Sequence, residues 1–169
     1  MSPSGLTDLY REVVLDHFRN PRGKGTLPTP PAVRADGYNP YCGDEVAVYL
    51  ETAEDGAVRL AWEGVGCSIS QASASMMARG VAGKTPAEAA ELMQRFREML
   101  QVHEGRLDDK TPDKTPDNTK DAGPETLDRE TQKRLGDLMA LEGVVKLPVR
   151  LKCALLPWTT LAEAFKLLS

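Results

Sequence analysis

The sequence predicts an α+β fold, a small and mainly antiparallel sheet of about three strands with helices packed on it. Two patterns indicate this class. Apolar residues recur at helical spacing near both ends of the chain, whereas apolar and polar residues alternate between positions 44 and 63. A length of 169 residues with 41% hydrophobic content is sufficient for a compact domain with a core. We therefore expect residues 1–169 to form a single domain.

The first helix is predicted over residues 6–18, where apolar side chains recur every three or four positions. The segment 20–25, Asn-Pro-Arg-Gly-Lys-Gly, contains helix breakers and ends this helix. A Pro-rich connector at 27–31 follows, and residues 32–35 form a short candidate strand.

A β-hairpin is predicted next. Residues 44–51 alternate apolar with polar side chains, and the alternation resumes at 58–63 after the turn sequence Glu-Asp-Gly at 54–56. This alternation predicts a hairpin with one buried face. Gly64 and Gly66 then allow the chain to leave the sheet sharply.

The second half of the chain is predicted to be mainly helical. Small residues dominate 68–83 and would let a helix lie close to the sheet. Thr85 followed by proline, with glutamate three positions after the threonine, is a helix start. Helix is expected to resume near Thr126, and the final helix is expected to begin near Pro157.

A segment of different composition interrupts these helices at about 104–125. It contains a tandem Asp-Lys-Thr-Pro sequence and almost no large apolar residues. Such a segment buries too little apolar surface to offset its ordering entropy, so a flexible insertion is expected.

Composition excludes several classes of function. A net charge of −4 and an isoelectric point of about 5.3 give no reason to expect nucleic acid as a partner. No apolar run reaches the roughly 18 residues that a membrane span needs. The first residues lack the pattern of a secretory signal, so a cytoplasmic location is expected.

The three cysteines are the residues most indicative of function. Three is too few for a disulfide framework, and in a reducing compartment such cysteines indicate metal binding or thiol chemistry. Cys42 lies in the turn that enters the hairpin, Cys67 lies where the hairpin leads into a helix, and Cys153 is placed in a short loop before the last helix. None lies within an apolar stripe, which argues against a role as small core residues.

These positions could meet at one end of the sheet together with Asp44, two residues after Cys42. Three thiolates and one carboxylate suit a tetrahedral zinc ion, and they suit an iron–sulfur cluster equally well. A cysteine at a helix N-terminus would also ionise more readily, because the helix dipole favours the thiolate. The residue types alone leave these alternatives open.

Three motifs resemble the cysteine signatures of the iron–sulfur cluster assembly scaffold family that includes IscU and the N-terminal part of NifU. They are NPYCGDE, GVGCSISQASASMM and RLKCALLPW, and the opening LYREVVLDHFRNPRGKG resembles the first helix of that family. The likeness runs from about Leu6 to Leu168, apart from the insertion. Lys152 stands where classical scaffold members have a histidine, and this departure resembles the SufU-type branch.

The resemblance implies a zinc ion held by Cys42, Asp44, Cys67 and Cys153. It also implies that sulfur arrives from a partner cysteine desulfurase of the SufS type, one of whose histidines takes a zinc position and frees a thiolate. Cys42 is the first choice for the sulfur acceptor and Cys153 the second. Arg150 matches a basic position near the site of that branch, with an electrostatic or partner-contact role.

Two other functions remain open at this point. The same ligands could assemble a transient [2Fe–2S] cluster, held by Cys42, Cys67 and Cys153, and pass it to apo-proteins or other Suf components. A structural zinc module that only docks a partner is the third hypothesis. In the favoured reading the chain is a sulfurtransferase-like carrier rather than a stand-alone enzyme.

The remaining residues of chemical interest have simpler interpretations. His17 is interpreted as a helix residue at the edge of the core, and His103 as a partner of the negative end of a helix dipole. Trp62 and Trp158 fit core positions.

Overall fold

A three-stranded antiparallel sheet in the order β1-β2-β3 forms one layer of the molecule, and helices pack on it. The computed structural model describes residues 3–40, 42–108, 133, 135–146 and 148–168. The elements in chain order are α1 (Pro3–Arg19), β1 (Val33–Asn39), β2 (Asp44–Thr52), β3 (Val58–Val65), α2 (Ser68–Val81), α3 (Pro86–Asp108), a 3₁₀ helix (Gly136–Lys146) and α4 (Pro148–Leu168). The predicted fold class is confirmed.

A tight turn joins β1 to β2. Asn39, the last residue of β1, lies opposite Asp44, the first residue of β2. The N–H of Gly43 donates to the carbonyl of Asn39 over 2.8 Å. Gly43 has a φ of +68°, a conformation that residues with a Cβ atom rarely adopt, so glycine suits this turn. The turn carries Cys42 to the end of the sheet.

The hairpin is buried on both faces, so the prediction of one buried face is wrong. Val48 and Leu50 are fully buried, but Tyr49 on the opposite face is only 6% exposed. The connector after α1 provides the cover. Gly25 N–H donates to the carbonyl of Trp62 over 2.7 Å, and Leu27 packs beside Tyr49. Alternation within the strands could not reveal this contact, because the covering segment lies elsewhere in the sequence.

The helices α2 and α3 form as predicted. The alanines of α2 are almost fully buried between the sheet and the other helices, as the small-residue pattern requires. The helix α3 begins at Pro86, and the hydroxyl of Thr85 accepts from the N–H of Glu88 over 3.2 Å. It continues to Asp108, so the first five positions of the predicted insertion are helical. Positions 109–125 and Thr126 lie outside the described residues.

The final helix begins earlier than predicted. It starts at Pro148, and Pro157 lies inside it. Cys153 therefore belongs to the helix, and the prediction that it lies in a loop before the helix is wrong. Pro148 occupies the first position of the helix, where the N–H that proline lacks would have no helical hydrogen-bond partner.

The helix α4 continues through an internal proline. Pro157 lacks the N–H that would donate four residues back, to the carbonyl of Cys153, and its ring normally bends or breaks a helix. Close to the proline, the hydroxyl of Ser73 in α2 donates to the neighbouring carbonyl of Ala154 over 2.6 Å. Packing against the sheet and α2 stabilises the rest of the helix. These tertiary contacts override the local signal.

The aromatic core agrees with the sequence analysis. Trp62 is 1% exposed, and Trp158 is fully buried. The ring of Trp158 lies 4.6 Å from that of Phe96 between centroids, an arrangement typical of packed aromatic pairs. Within the described residues, no helix is both long enough and apolar enough to cross a membrane.

His17 is fully buried rather than at the edge of the core. Its Nδ1 lies 2.7 Å from the hydroxyl of Ser75 in α2, and its Nε2 lies 2.8 Å from a carboxylate oxygen of Asp137 in the 3₁₀ helix. Arg79 also pairs with Asp137, over 2.9 Å. The imidazole thus links three elements, and it lies in this cluster rather than among the cysteines.

Replacing His17 with alanine is expected to lower the free energy of unfolding by about 3 kcal/mol, because it removes both hydrogen bonds of a fully buried imidazole and opens a cavity. Urea denaturation followed by circular dichroism would measure the loss. Asp16→Ala, one position away, is the matched control, since it removes only surface contacts, the ion pair with Arg22 and the hydrogen bond from Asn20. Equal stability of the two variants would contradict the structural role of His17.

Candidate metal centre

Three cysteines and one aspartate converge at one end of the sheet. The sulfur atoms of Cys42 and Cys153 are 3.1 Å apart, although the residues are separated by 111 positions. The possible ligand atoms of Cys42, Asp44 and Cys153 all lie within 4.8 Å of one another. The sulfur of Cys67 lies 4.0 Å from the carboxylate of Asp44. Each of the three cysteines is a thiol and not half of a disulfide.

Asp44 is fully buried at the start of β2. One carboxylate oxygen, Oδ1, accepts from the N–H of Cys67 over 2.9 Å. The other oxygen, Oδ2, is the one nearest the Cys67 sulfur. A Cβ atom at Gly66 would overlap Oδ1 and would lie 2.7 Å from the hydroxyl of Ser70. The glycine therefore makes the close approach of the carboxylate to α2 sterically allowed.

Cys67 occupies the N-cap position of α2 with extended backbone angles. The hydroxyl of Ser70 donates to its carbonyl over 3.1 Å and lies 3.9 Å from its sulfur. The sequence analysis expected this placement for a cysteine at a helix start.

Cys153 is fully buried in the second turn of α4. Burial raises the pKa of its thiol far above the usual range, and the neighbouring Cys42, Asp44 and Cys67 raise it further. Ionisation of the Cys153 thiol is therefore unfavourable at this position unless a cation is bound beside it. A bound cation reverses that effect, since thiols that coordinate metal ions are deprotonated.

The donor set fits zinc. Zinc is held in tetrahedral sites by four cysteine, histidine or carboxylate ligands. Metal–sulfur distances of about 2.3 Å place the donors of a tetrahedron roughly 4 Å apart. The separation of 4.0 Å between Asp44 and Cys67 is close to this spacing, whereas the 3.1 Å between the sulfur atoms of Cys42 and Cys153 is shorter, so these two sulfur atoms would have to move apart to bind one ion.

Arg150 and Lys152 have exposed side chains near the start of α4, within three residues of Cys153. Their positions place positive charge on the surface beside an otherwise acidic and thiol-rich site. The side chain of His103 is not among those that the structure describes.

Sequence reasoning missed Asn39. This residue is 5% exposed, and its side-chain N–H lies 3.7 Å from the sulfur of Cys153. A signal for this residue was present in the sequence. Ala35, Gly37 and Asn39 occupy alternate positions of β1 and share one face. The pattern therefore predicts that the polar side chain of Asn39 lies on the inward face. The predicted strand ended at residue 35 and did not reach Asn39, whereas β1 extends to Asn39.

Comparisons with known proteins identify the family. Residues 9–114 match the family described as the NifU-like N terminal domain. The zinc-dependent sulfurtransferase SufU of Bacillus subtilis is 37% identical over 160 residues, which cover 95% of this chain and 91% of SufU. The iron–sulfur cluster assembly scaffold protein IscU of Streptococcus pyogenes is 37% identical over 166 residues, covering 98% of this chain and 88% of that protein.

Solved structures share the fold. A crystal structure of a scaffold protein for the SUF system from Fervidobacterium islandicum has a TM-score of 0.68 and 28% identity, and the match covers 90% of this chain and 93% of that one. A hypothetical protein gives a TM-score of 0.71 at 33% identity, covering 95% and 98%. The family suggested by the cysteine motifs is confirmed, and the chain belongs to the NifU-like N-terminal domain family of iron–sulfur cluster assembly proteins.

Proposed function

We propose that this protein is a zinc-binding sulfur acceptor in iron–sulfur cluster biogenesis, which takes persulfide sulfur from a partner cysteine desulfurase of the SufS type. The observation that carries the proposal is the convergence of three thiols and one carboxylate from separate elements. The name and similarity of the SufU relative support it. The proposed ligands are Cys42, Asp44, Cys67 and Cys153, in a protein of the cytoplasm.

When bound, zinc keeps the thiols deprotonated and links elements that are distant in sequence. Four protein ligands leave no open position for a water molecule, so hydrolytic chemistry is not expected. One thiolate of this chain would therefore have to be free of the metal before it could react. The family resemblance implies that a histidine of the desulfurase would replace it as a ligand.

Cys42 is best placed to be that thiolate. It is partly exposed, and it lies in a short turn beside Gly43, whose backbone angles are those of a tight turn. Cys153 is fully buried within a helix, and Cys67 caps α2 through its main chain. Movement of Cys42 would therefore disturb less regular secondary structure than movement of Cys67 or Cys153. Cys153 remains the second choice.

The chemical step is a thiol–disulfide type of exchange. The Cys42 thiolate attacks the outer sulfur of the desulfurase persulfide and forms a new sulfur–sulfur bond. The original sulfur–sulfur bond breaks, and the desulfurase cysteine leaves as a thiolate. The product is a persulfide on Cys42, and the exchange needs no further oxidant or reductant. Arg150, exposed in the first turn of α4, is proposed to contact the partner or to steer it electrostatically.

A second candidate function is a scaffold that carries a transient [2Fe–2S] cluster as cargo on Cys42, Cys67 and Cys153, for delivery to apo-proteins. The naming and similarity of the Streptococcus pyogenes IscU relative favour it. Lys152 disfavours it, because a protonated lysine cannot replace a histidine ligand. Anaerobic reconstitution followed by visible absorption and transfer to an apo-acceptor would support this function.

Metal analysis combined with mass spectrometry tests the main proposal. The purified protein should contain about one zinc per chain. After mixing with a desulfurase and cysteine, it should gain sulfur on Cys42. Trypsin separates the cysteines, since Cys42, Cys67 and Cys153 fall in the peptides 35–59, 60–79 and 153–166. Bound zinc without added sulfur on any of these peptides would instead indicate a structural zinc module.

A further inference from the structure

The three thiols of the site differ in their contacts with the rest of the protein, and one of these contacts comes from β1. Successive residues of a strand alternate between its faces, so Gly37 and Asn39 lie on the same face. That face packs against α4, where Cys153, Leu156 and Thr160 follow one another on one side of the helix.

Gly37 sets a short distance between this strand and the helix. A Cβ atom at Gly37 would overlap the hydroxyl of Thr160 and would lie 3.1 Å from the side chain of Leu156. Because the two elements are this close, the short side chain of Asn39 reaches the next position of the helix face. Its N–H donates to the sulfur of Cys153 over 3.7 Å.

Asn39 also determines where Cys42 lies, but through its main chain. Its carbonyl accepts from Gly43 and closes the turn that carries Cys42. Thus the side chain of Asn39 contacts the buried thiol of Cys153, and its backbone helps to position Cys42, one of the two partly exposed thiols. An N–H donor stabilises a negatively charged sulfur and engages one of its lone pairs, so the sulfur that receives it is a poorer nucleophile and a better retained ligand.

We propose that Asn39 is a positioning residue, which retains Cys153 in the ligand set through its side-chain N–H and thereby directs incoming sulfur to Cys42. The inference rests on the proposed sulfur-acceptor function and concerns the choice between its two candidate acceptors. It assigns that choice to a residue that neither binds the metal nor receives the sulfur.

The test compares zinc-loaded variants for the share of sulfur on each cysteine. Asn39→Leu removes all polar contact, and Asn39→Asp keeps the shape of the side chain but has no N–H. After reaction with desulfurase and cysteine, the ratio of persulfide on peptide 153–166 to that on peptide 35–59 is measured by mass spectrometry. We expect this ratio to rise about tenfold in both variants, the size typical of losing a partner of a metal ligand.

Tyr38→Leu is the matched control, because Tyr38 is the neighbouring residue and is exposed on the opposite face of β1. It should leave the ratio at the value of the unmodified protein. An unchanged ratio in Asn39→Leu and Asn39→Asp would overturn the inference, as would an equal rise in Tyr38→Leu. Sulfur confined to Cys42 in every protein would leave the proposed function intact, whereas sulfur on no cysteine of the unmodified protein would contradict that function itself.

Discussion

Cys42→Ser should reduce the stimulation of a cysteine desulfurase to the rate of the desulfurase alone. A serine hydroxyl at neutral pH is not ionised and cannot attack a persulfide as a thiolate does. Cys42 lies in a turn and is partly exposed, so its replacement by the similarly sized serine disturbs little apart from the contact with the Cys153 sulfur. The loss should therefore appear in sulfur transfer and not in folding. Alanine formation from cysteine, with and without this protein, gives the measurement.

Cys153→Ser is the comparison for that variant. Cys153 is fully buried beside the other three side chains, so its replacement should lower both zinc content and thermal stability. Circular dichroism of Cys42→Ser should match that of the unmodified protein. Normal stimulation by Cys42→Ser would show that Cys42 is not the acceptor and would move that role to Cys153.

Gly66→Ala is expected to weaken zinc binding by about 10- to 100-fold, the range seen when groups that orient metal ligands are disturbed. The added methyl group would overlap Oδ1 of Asp44 and crowd the hydroxyl of Ser70. Asp44 is fully buried and accepts from the N–H of Cys67, so it cannot move away without losing that hydrogen bond. Competition with a zinc-binding dye would measure the affinity.

Gly25→Ala offers a closely matched control. Gly25 has a φ of +152°, close to the +156° of Gly66, so the backbone strain introduced by alanine is similar at both positions. A Cβ atom at Gly25 meets nothing within 4 Å. Zinc affinity should therefore be unchanged in Gly25→Ala. Equal weakening in both variants would show that strain, and not contact with Asp44, is responsible.

Local patterns predicted much of the fold. The alternation in β2 and β3, the threonine cap before α3 and the small residues of α2 each depend on near neighbours in sequence, and each of these elements formed as expected. Pro157 led to a wrong prediction of where the final helix begins, also because the prediction relied on a local signal. A proline is a local signal to end a helix, but contacts from Ser73 and from the sheet allow α4 to continue through it.

The candidate site, like the fold, could be predicted from the sequence only in part. Residue types, and the likeness of three short motifs to a known family, are enough to indicate Cys42, Asp44, Cys67 and Cys153 as candidate ligands. The strand alternation could have indicated that Asn39 faces inward, but the burial of Cys153 and the contact between Asn39 and Cys153 were not foreseeable, because they arise where β1 and α4 pack together across more than a hundred residues.

Short stretches of this chain specify which side chains could bind a metal and which secondary-structure elements carry most of them, since residue chemistry, capping and hydrophobic period are local properties. The meeting of these side chains, and the difference in exposure among their thiols, follow from the folded arrangement alone. Distance and burial depend on how separate elements pack, and packing is a property of the whole chain.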